Sequence, residues 1–368
     1  MSRSALKLLL VLVLGCASLV LQAQGTVKPF KLGTFEHQGN TLVGVVLDDN
    51  LVIDLAGANA AVNASGTKPA DAADMKDLIR RYDSGLRARI IEIVNAVTSL
   101  PATNRPGYVH TLADLKVLPP IMYPTNMMNA ALNYTEHALE MKDVREDGIG
   151  TSDEPGMAAK DSTRPVGIWE PDASDRRWTP YMFLKASSAV IAHKEAIRLP
   201  VKREQVDWEC ELGVVIGRDA KNVPMGKGAD YIFGYTLEMD VSDRESRGDT
   251  RYGSDWLMGK SHDTFAPLGP FIVPREFVAN PKDLPIRFVL NDQVMQESTS
   301  ALMIHDVFEL VVYGSNIMTL RPGDVIATGT PSGVGSARKP PIYLKEGDRT
   351  VCTYEGIGTL ENTVVRDK

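Results

Sequence analysis

Cysteine is scarce in this chain, three residues among 368, and that excludes a disulfide scaffold as the source of its fold. Positive charge is short too. Forty lysines and arginines face 47 acids for a net −7, which argues against nucleic acid as a partner. No glycine fingerprint stands between a strand and a helix, which disfavours a doubly wound nucleotide-binding fold. No internal repeat is visible. The one long apolar run, Leu8 to Leu21 behind Arg3 and Lys7, falls short of the roughly 20 residues a membrane span needs. With the small residue Ala23 at its exit, it reads as a secretory signal peptide over residues 1–23. The expected product is exported, periplasmic or secreted, with no membrane span after cleavage. Tethering through Cys16 in Val13-Leu14-Gly15-Cys16 is the other reading. Removal of the signal leaves Cys210 and Cys352; one bridge between them is open but not deducible, and a domain of this size does not need it.

What is present is ordinary for a soluble globular protein: 43% hydrophobic and 24% charged residues. The length suits two domains of unequal size. Residues 24–120 read as a small α+β unit: strands at 41–47 and 51–55, a helix over 70–97, and a last apolar stretch at 115–120. Chemistry is not concentrated there. Residues 121–368 read as the larger unit, with a short helix over 133–141 and another from Met303 to about Thr319. The loop 142–180 is long for a compact domain, and Trp169 and Trp178 favour packing over disorder. Strands greatly outnumber helices in this unit. The expected class is therefore α+β and β-rich.

The densest chemistry lies in Val206-Asp207-Trp208-Glu209-Cys210-Glu211-Leu212-Gly213 and onward to Gly217. Read as one strand, it puts Glu209 and Glu211 on one face and Cys210 on the other. Asp240 ends a second apolar strand, Tyr231 to Met239. Three carboxylates suit Mg²⁺, Mn²⁺ or Ca²⁺ and not zinc; surface strand acids are the plain alternative. His137 and Glu140 are three apart on one helix face. The pair is either a general base oriented by a carboxylate or a surface ion pair. Lys260, among apolar and glycine neighbours, is either an oxyanion stabiliser or a solvated loop lysine.

The order of these pieces resembles the fumarylacetoacetate hydrolase family from about Ile121 to Val365. The blocks are Asn133-Tyr134 with His137-Ala138 and Glu140, Phe183-Leu184-Lys185, the Asp207 to Gly217 segment, Phe233-Gly234-Tyr235-Thr236 and Asp240-Val241-Ser242. Gly259-Lys260-Ser261-His262-Asp263, Arg321 to Pro331 and Glu355 to Leu360 complete the series. The resemblance implies a mixed β-roll or sandwich behind a small N-terminal domain, assembled as a homodimer. It implies that Glu209, Glu211 and Asp240 bind a divalent ion, Mg²⁺ first, with Mn²⁺ or Ca²⁺ as alternatives. It casts His137 and Glu140 as the water-activating dyad and Lys260 as a catalytic contact to substrate oxygens. Asn133, Tyr134, Lys185, Gly329 and Thr330 are its substrate-side positions.

Two features depart from that pattern. Arg247 stands where many members carry glutamine, with Arg244 and Arg251 nearby, which points to a small anionic keto acid held by guanidinium groups. The alternative is an Arg–Asp surface network with Asp243, Asp249 and Asp255. The 142–180 segment is also longer than the family's usual link. The leading reading is a metal-dependent hydrolase of a C–C bond in a diketo or acylpyruvate-like acid, acting through an enolate. A decarboxylase, isomerase or hydratase of related 2-keto acids is the enzyme alternative, and a non-catalytic exported metabolite-binding protein is the other.

Overall fold

The computed structural model describes residues 27–142, 165–247 and 255–368. The expected signal segment 1–23, and residues 143–164 of the long loop, lie outside the described residues. In the small unit, Lys31–His37, Asn40–Leu47 and Leu51–Asp54 run as consecutive antiparallel strands. The helix expected over 70–97 is instead two, Met75–Arg81 and Leu86–Thr98. Asp74 caps the first by accepting from the Asp77 N–H. Gly85 then breaks the run at φ 115°, a conformation strained for any L side chain.

Leu32 pairs with Ile272, so the small unit's sheet continues into the larger unit. Its order proceeds from Lys31–His37 through Ala266–Pro274, Ile232–Met239, Cys210–Ile216, Val325–Ala327 and Met127–Ala130 to Met182–Leu184. One apolar cluster joins Leu32, Ile53, Ile79 and Ile90 of the small unit to Val215, Phe233, Leu268 and Val325 of the larger. A second sheet runs Gln293–Thr299, Pro285–Leu290, Arg349–Tyr354, Gly358–Arg366, Ala196–Leu199. Leu212, Val214, Phe288 and Leu360 share the core cluster between the two sheets. The fold is β-rich α+β, as the strand count predicts.

Three local expectations change. The helix expected from Met303 begins at Val307 and ends at Ile317, because Asp306 and Glu309 close a capping box at its start. The stretch 206–217 is not one strand. Val206–Asp207 pairs with Ser242–Asp243, whereas Cys210–Ile216 belongs to the large sheet. The Asp207 carboxylate, accepting from the N–H groups of Trp208, Gly335 and Ser336, turns the chain between them. Finally, Cys210 and Cys352 form the bridge that the domain's size made unnecessary, their Cα atoms 5.5 Å apart. It ties the strand bearing the acids to the second sheet through a fully buried bond. The described end of the long loop is packed, with Trp169 buried against His305 and Tyr313.

A bridge closing a loop this long stabilises chiefly by restricting the unfolded chain. A Cys210→Ala/Cys352→Ala double variant is expected to lose about 2–4 kcal/mol in urea unfolding. An unchanged midpoint would show the bond to be incidental.

Candidate metal centre

Register brings the acids together. Glu211 lies directly opposite Glu238, and the Asp240 N–H donates to the Glu209 carbonyl at 2.8 Å. Residues paired across antiparallel strands project to the same face. Glu209, Glu211, Glu238 and Asp240 therefore make a square of carboxylates, with Cys210 and Met239 on the other face. All four are buried. Ligand oxygens of Glu209, Glu211 and Asp240 lie within 4.8 Å of one another.

A chain of alternating charge threads this square. Arg244 donates to Asp207 at 2.9 Å and to Glu209 at 2.5 Å. Lys260 bridges Glu209 at 2.9 Å and Asp240 at 2.7 Å, and Lys185 donates to Asp240 at 2.5 Å. Three acids and three bases thus cancel. Glu211 and Glu238 stand outside the chain with no salt-bridge partner among the described residues. The Gly329 N–H reaches Glu211 Oε2 at 2.7 Å and Asn129 reaches Glu238 Oε2 at 3.3 Å, but each carboxylate's Oε1 is buried with no partner.

The protonation equilibria follow from this split. Burial would raise Glu209, but Lys260, Arg244 and His137 outweigh it and hold its carboxyl below the usual range. Glu211 is pushed well up by burial and then by Asp240, Glu238 and Glu209. Glu238 goes up for the same reasons, burial first and Asp240 next. Lys260 is raised: burial disfavours its charge, but Asp240 and Glu209 more than restore it. An unpaired buried charge costs several kcal/mol, a large part of the roughly 5–15 kcal/mol that holds a domain together. Glu211 and Glu238, the two carboxyl groups without an ion-pair partner, would match one divalent cation once ionised, and the donors of the triad are all oxygen. The residues fit a hard divalent ion.

His137 and Glu140 sit on the helix Thr135–Lys142. His137 Nδ1 meets Glu140 Oε1 at 2.8 Å, and Glu140 Oε2 accepts from the Gly333 N–H at 2.8 Å. His137 is buried. It lines a cavity of about 20 Å³ with Glu209, Arg244, Lys260, Phe183 and Trp256, room for about one water. A larger cavity of about 560 Å³ in the small unit includes His37, His110 and Arg89 in its lining but none of the four carboxylates.

The structure therefore brings His137, Glu140, Lys260 and the three acids to one place, but it treats the other candidates differently. Asn133 spends its amide on the His305 backbone and the Thr328 carbonyl. Tyr134 is buried within the core between the sheets, and Lys185 is held by Asp240 and the Val241 carbonyl. Thr330 donates to the Cys210 carbonyl and accepts from Gln296. The polar groups of Asn133, Lys185 and Thr330 are thus engaged inside the protein, and the Tyr134 hydroxyl is buried. Gly329 positions Glu211; a Cβ there would come within 2.8 Å of Asn133 Cβ. Arg244 lines the cavity but is engaged by Asp207 and Glu209, not by a surface network. Asp243 pairs with Arg203 and His262, and Asp255 caps the helix Trp256–Lys260. The Arg247 side chain, with Asp249 and Arg251, lies outside the described residues. Sequence reasoning missed Asp207 and Glu238. The signal for Glu238 was present: Glu238 and Asp240 repeat, on the next strand, the alternation of Glu209 and Glu211.

The family described as fumarylacetoacetate (FAA) hydrolase C-terminal matches residues 126–365. The mitochondrial oxaloacetate tautomerase of Xenopus laevis is 32% identical over 305 residues, covering 82% of this chain and 85% of that one. A fumarylacetoacetate hydrolase domain-containing protein 2 homolog of Dictyostelium discoideum is 34% identical, covering 88% of this chain and 92% of its own. Among solved structures, 5-carboxymethyl-2-hydroxymuconate delta-isomerase from Mycobacterium smegmatis is similar at TM-score 0.61, with 31% identity over 92% of this chain and 99% of that one. Maleylpyruvate hydrolase from Sphingobium sp. SYK-6, solved with manganese(II) and pyruvate, is similar at TM-score 0.64 and 25% identity, covering 92% of this chain and all of its own.

Because the Glu211 carboxyl is held above its ordinary 4.5, folding favours its protonated form. In chelator, its contribution to stability is fully present below 4.5 and is lost as pH rises from there towards the raised value. Urea unfolding across pH is expected to show a shallower loss in Glu211→Gln than in the wild type, with Mn²⁺ flattening the wild-type slope. Identical slopes in the two proteins would contradict this account.

Proposed function

Given that this chain belongs to the fumarylacetoacetate hydrolase family, we propose that it hydrolyses a C–C bond in a small diketo or acylpyruvate-like acid, with a divalent metal as cofactor. The carrying observation is the His137–Glu140 pair beside the acid triad, in a cavity with room for about one water. Glu209, Glu211 and Asp240 would hold the ion, which supplies Lewis acidity at the keto-acid oxygens. Mg²⁺ and Mn²⁺ both suit the oxygen donors.

The chain's own residues supply the rest. With Nδ1 held by Glu140, the His137 ring presents Nε2 as the base that takes a proton from water. The resulting hydroxide attacks the carbonyl carbon. The C–C bond breaks, its electron pair leaves with the other fragment as an enolate, and that fragment recovers the proton at carbon. Lys260 uses two of its three N–H donors on Glu209 and Asp240; the third serves the oxygen on which negative charge develops. Phe183 and Trp256 wall the site and exclude bulk water. Arg247 is the guanidinium for the substrate carboxylate in this reading, since Arg244 is engaged inside the protein.

A second reading, tautomerisation of an oxaloacetate-like acid, is supported by the named tautomerase relatives. There His137 would move a proton between carbon and oxygen with no water consumed. Export is part of the proposal as well, and the buried disulfide supports it, since such bonds persist in oxidising compartments.

The test assays acylpyruvates and oxaloacetate with Mg²⁺ or Mn²⁺. Hydrolysis is expected to fall about 10²–10⁴-fold in His137→Ala. Undiminished hydrolysis in that variant refutes the dyad, and activity on oxaloacetate alone selects the tautomerase.

A further inference from the structure

We propose that Glu238 is a fourth anionic member of the cation site, held in place by Asn129 and raising the site's affinity for a divalent ion. This deepens the reading above and rests on it, because it needs the ion to sit at Glu209, Glu211 and Asp240.

The backbone explains how a fourth carboxylate fits. Asn129, Ala327, Gly213 and Thr236 lie in register across four neighbouring strands, so they share a face. Glu211 and Glu238, each two residues along, share it too. Gly213 and Ala327 occupy the middle of that row with almost no side chain. Asn129 therefore reaches over them to Glu238 Oε2 at 3.3 Å. The space is closed on one side, since a Cβ at Gly213 would meet Thr236 Cγ2 at 2.9 Å. Four oxygens on this face are buried with no partner: Glu211 Oε1, Glu238 Oε1, Asn129 Oδ1 and Thr236 Oγ1.

Buried polar atoms are normally hydrogen-bonded, and leaving one without a partner costs about 1–3 kcal/mol, more when it is charged. None of these four oxygens accepts a hydrogen bond within the described protein. The ion pairs point the same way: Asp207, Arg244, Glu209, Lys260, Asp240 and Lys185 pair in sequence, and Glu211 and Glu238 stand outside that line. Glu238 lies directly opposite Glu211 in the sheet, so its free oxygen belongs to the same face as the triad.

The experiment is a calorimetric Mn²⁺ titration of the metal-stripped full chain, with thermal melts in chelator. Glu238→Gln is expected to bind Mn²⁺ about tenfold or more weakly, while its metal-free melting temperature does not fall. Glu238→Asp, which keeps the charge, is expected to bind more tightly than Glu238→Gln. Wild-type affinity in Glu238→Gln, alongside lost binding in Glu211→Ala, overturns the role of Glu238 and leaves the triad standing. No Mn²⁺ binding by the wild type overturns the triad and this inference together. If Glu238→Gln does not fold, Asn129→Ala carries the test: weaker binding supports the role, and unchanged binding overturns it.

Discussion

Two buried carboxyl groups with no ion-pair partner among the described residues are the constraint on which the rest of this structure depends. Six charged side chains form a line that cancels from Asp207 to Lys185, and Glu211 and Glu238 are left over. A divalent cation would relieve both, in a site whose donors are all oxygen. Burial elsewhere can be exchanged for other apolar contacts; this pair cannot.

The surrounding fold keeps that pair in place. Antiparallel register sets Glu211 against Glu238 and Glu209 beside Asp240. Gly329 turns at φ 88° so that its N–H meets Glu211, in a space that admits no side chain. Cys210, between the two glutamates, is bonded to Cys352 on the second sheet. The acid-bearing strand is thus fixed on both faces: by charge on one and by a covalent tie on the other. The water-sized cavity beside His137 follows from the same tight packing, with Glu140 anchored to the Gly333 backbone.

Much of this was legible in the sequence, because alternation along a strand needs no tertiary information. Glu209 and Glu211 two apart, Asp240 at the end of an apolar strand, and His137 three from Glu140 each predict a shared face. What the sequence could not supply was pairing between strands. Glu238 becomes the neighbour of Glu211 only through register, although its alternation with Asp240 is visible along the chain. The hydrogen bonds of Asn133 and Lys185 inside the protein were not legible for a related reason: a polar side chain facing the interior and one facing a substrate look alike until their partners are known. The bridge between Cys210 and Cys352 spans 142 residues, and two cysteines carry no sign of their separation in space. The helix break at Gly85 was readable from its residue type; the capped start at Val307 was readable from Asp306 and Glu309.

The central claim is that one divalent ion sits where Glu209, Glu211 and Asp240 converge. A crystal of the metal-stripped protein soaked in Mn²⁺ tests it most directly, through anomalous scattering. The account predicts one strong peak per chain within coordination distance of those three carboxylates. A map with no peak there, at Mn²⁺ concentrations that support activity, would contradict it.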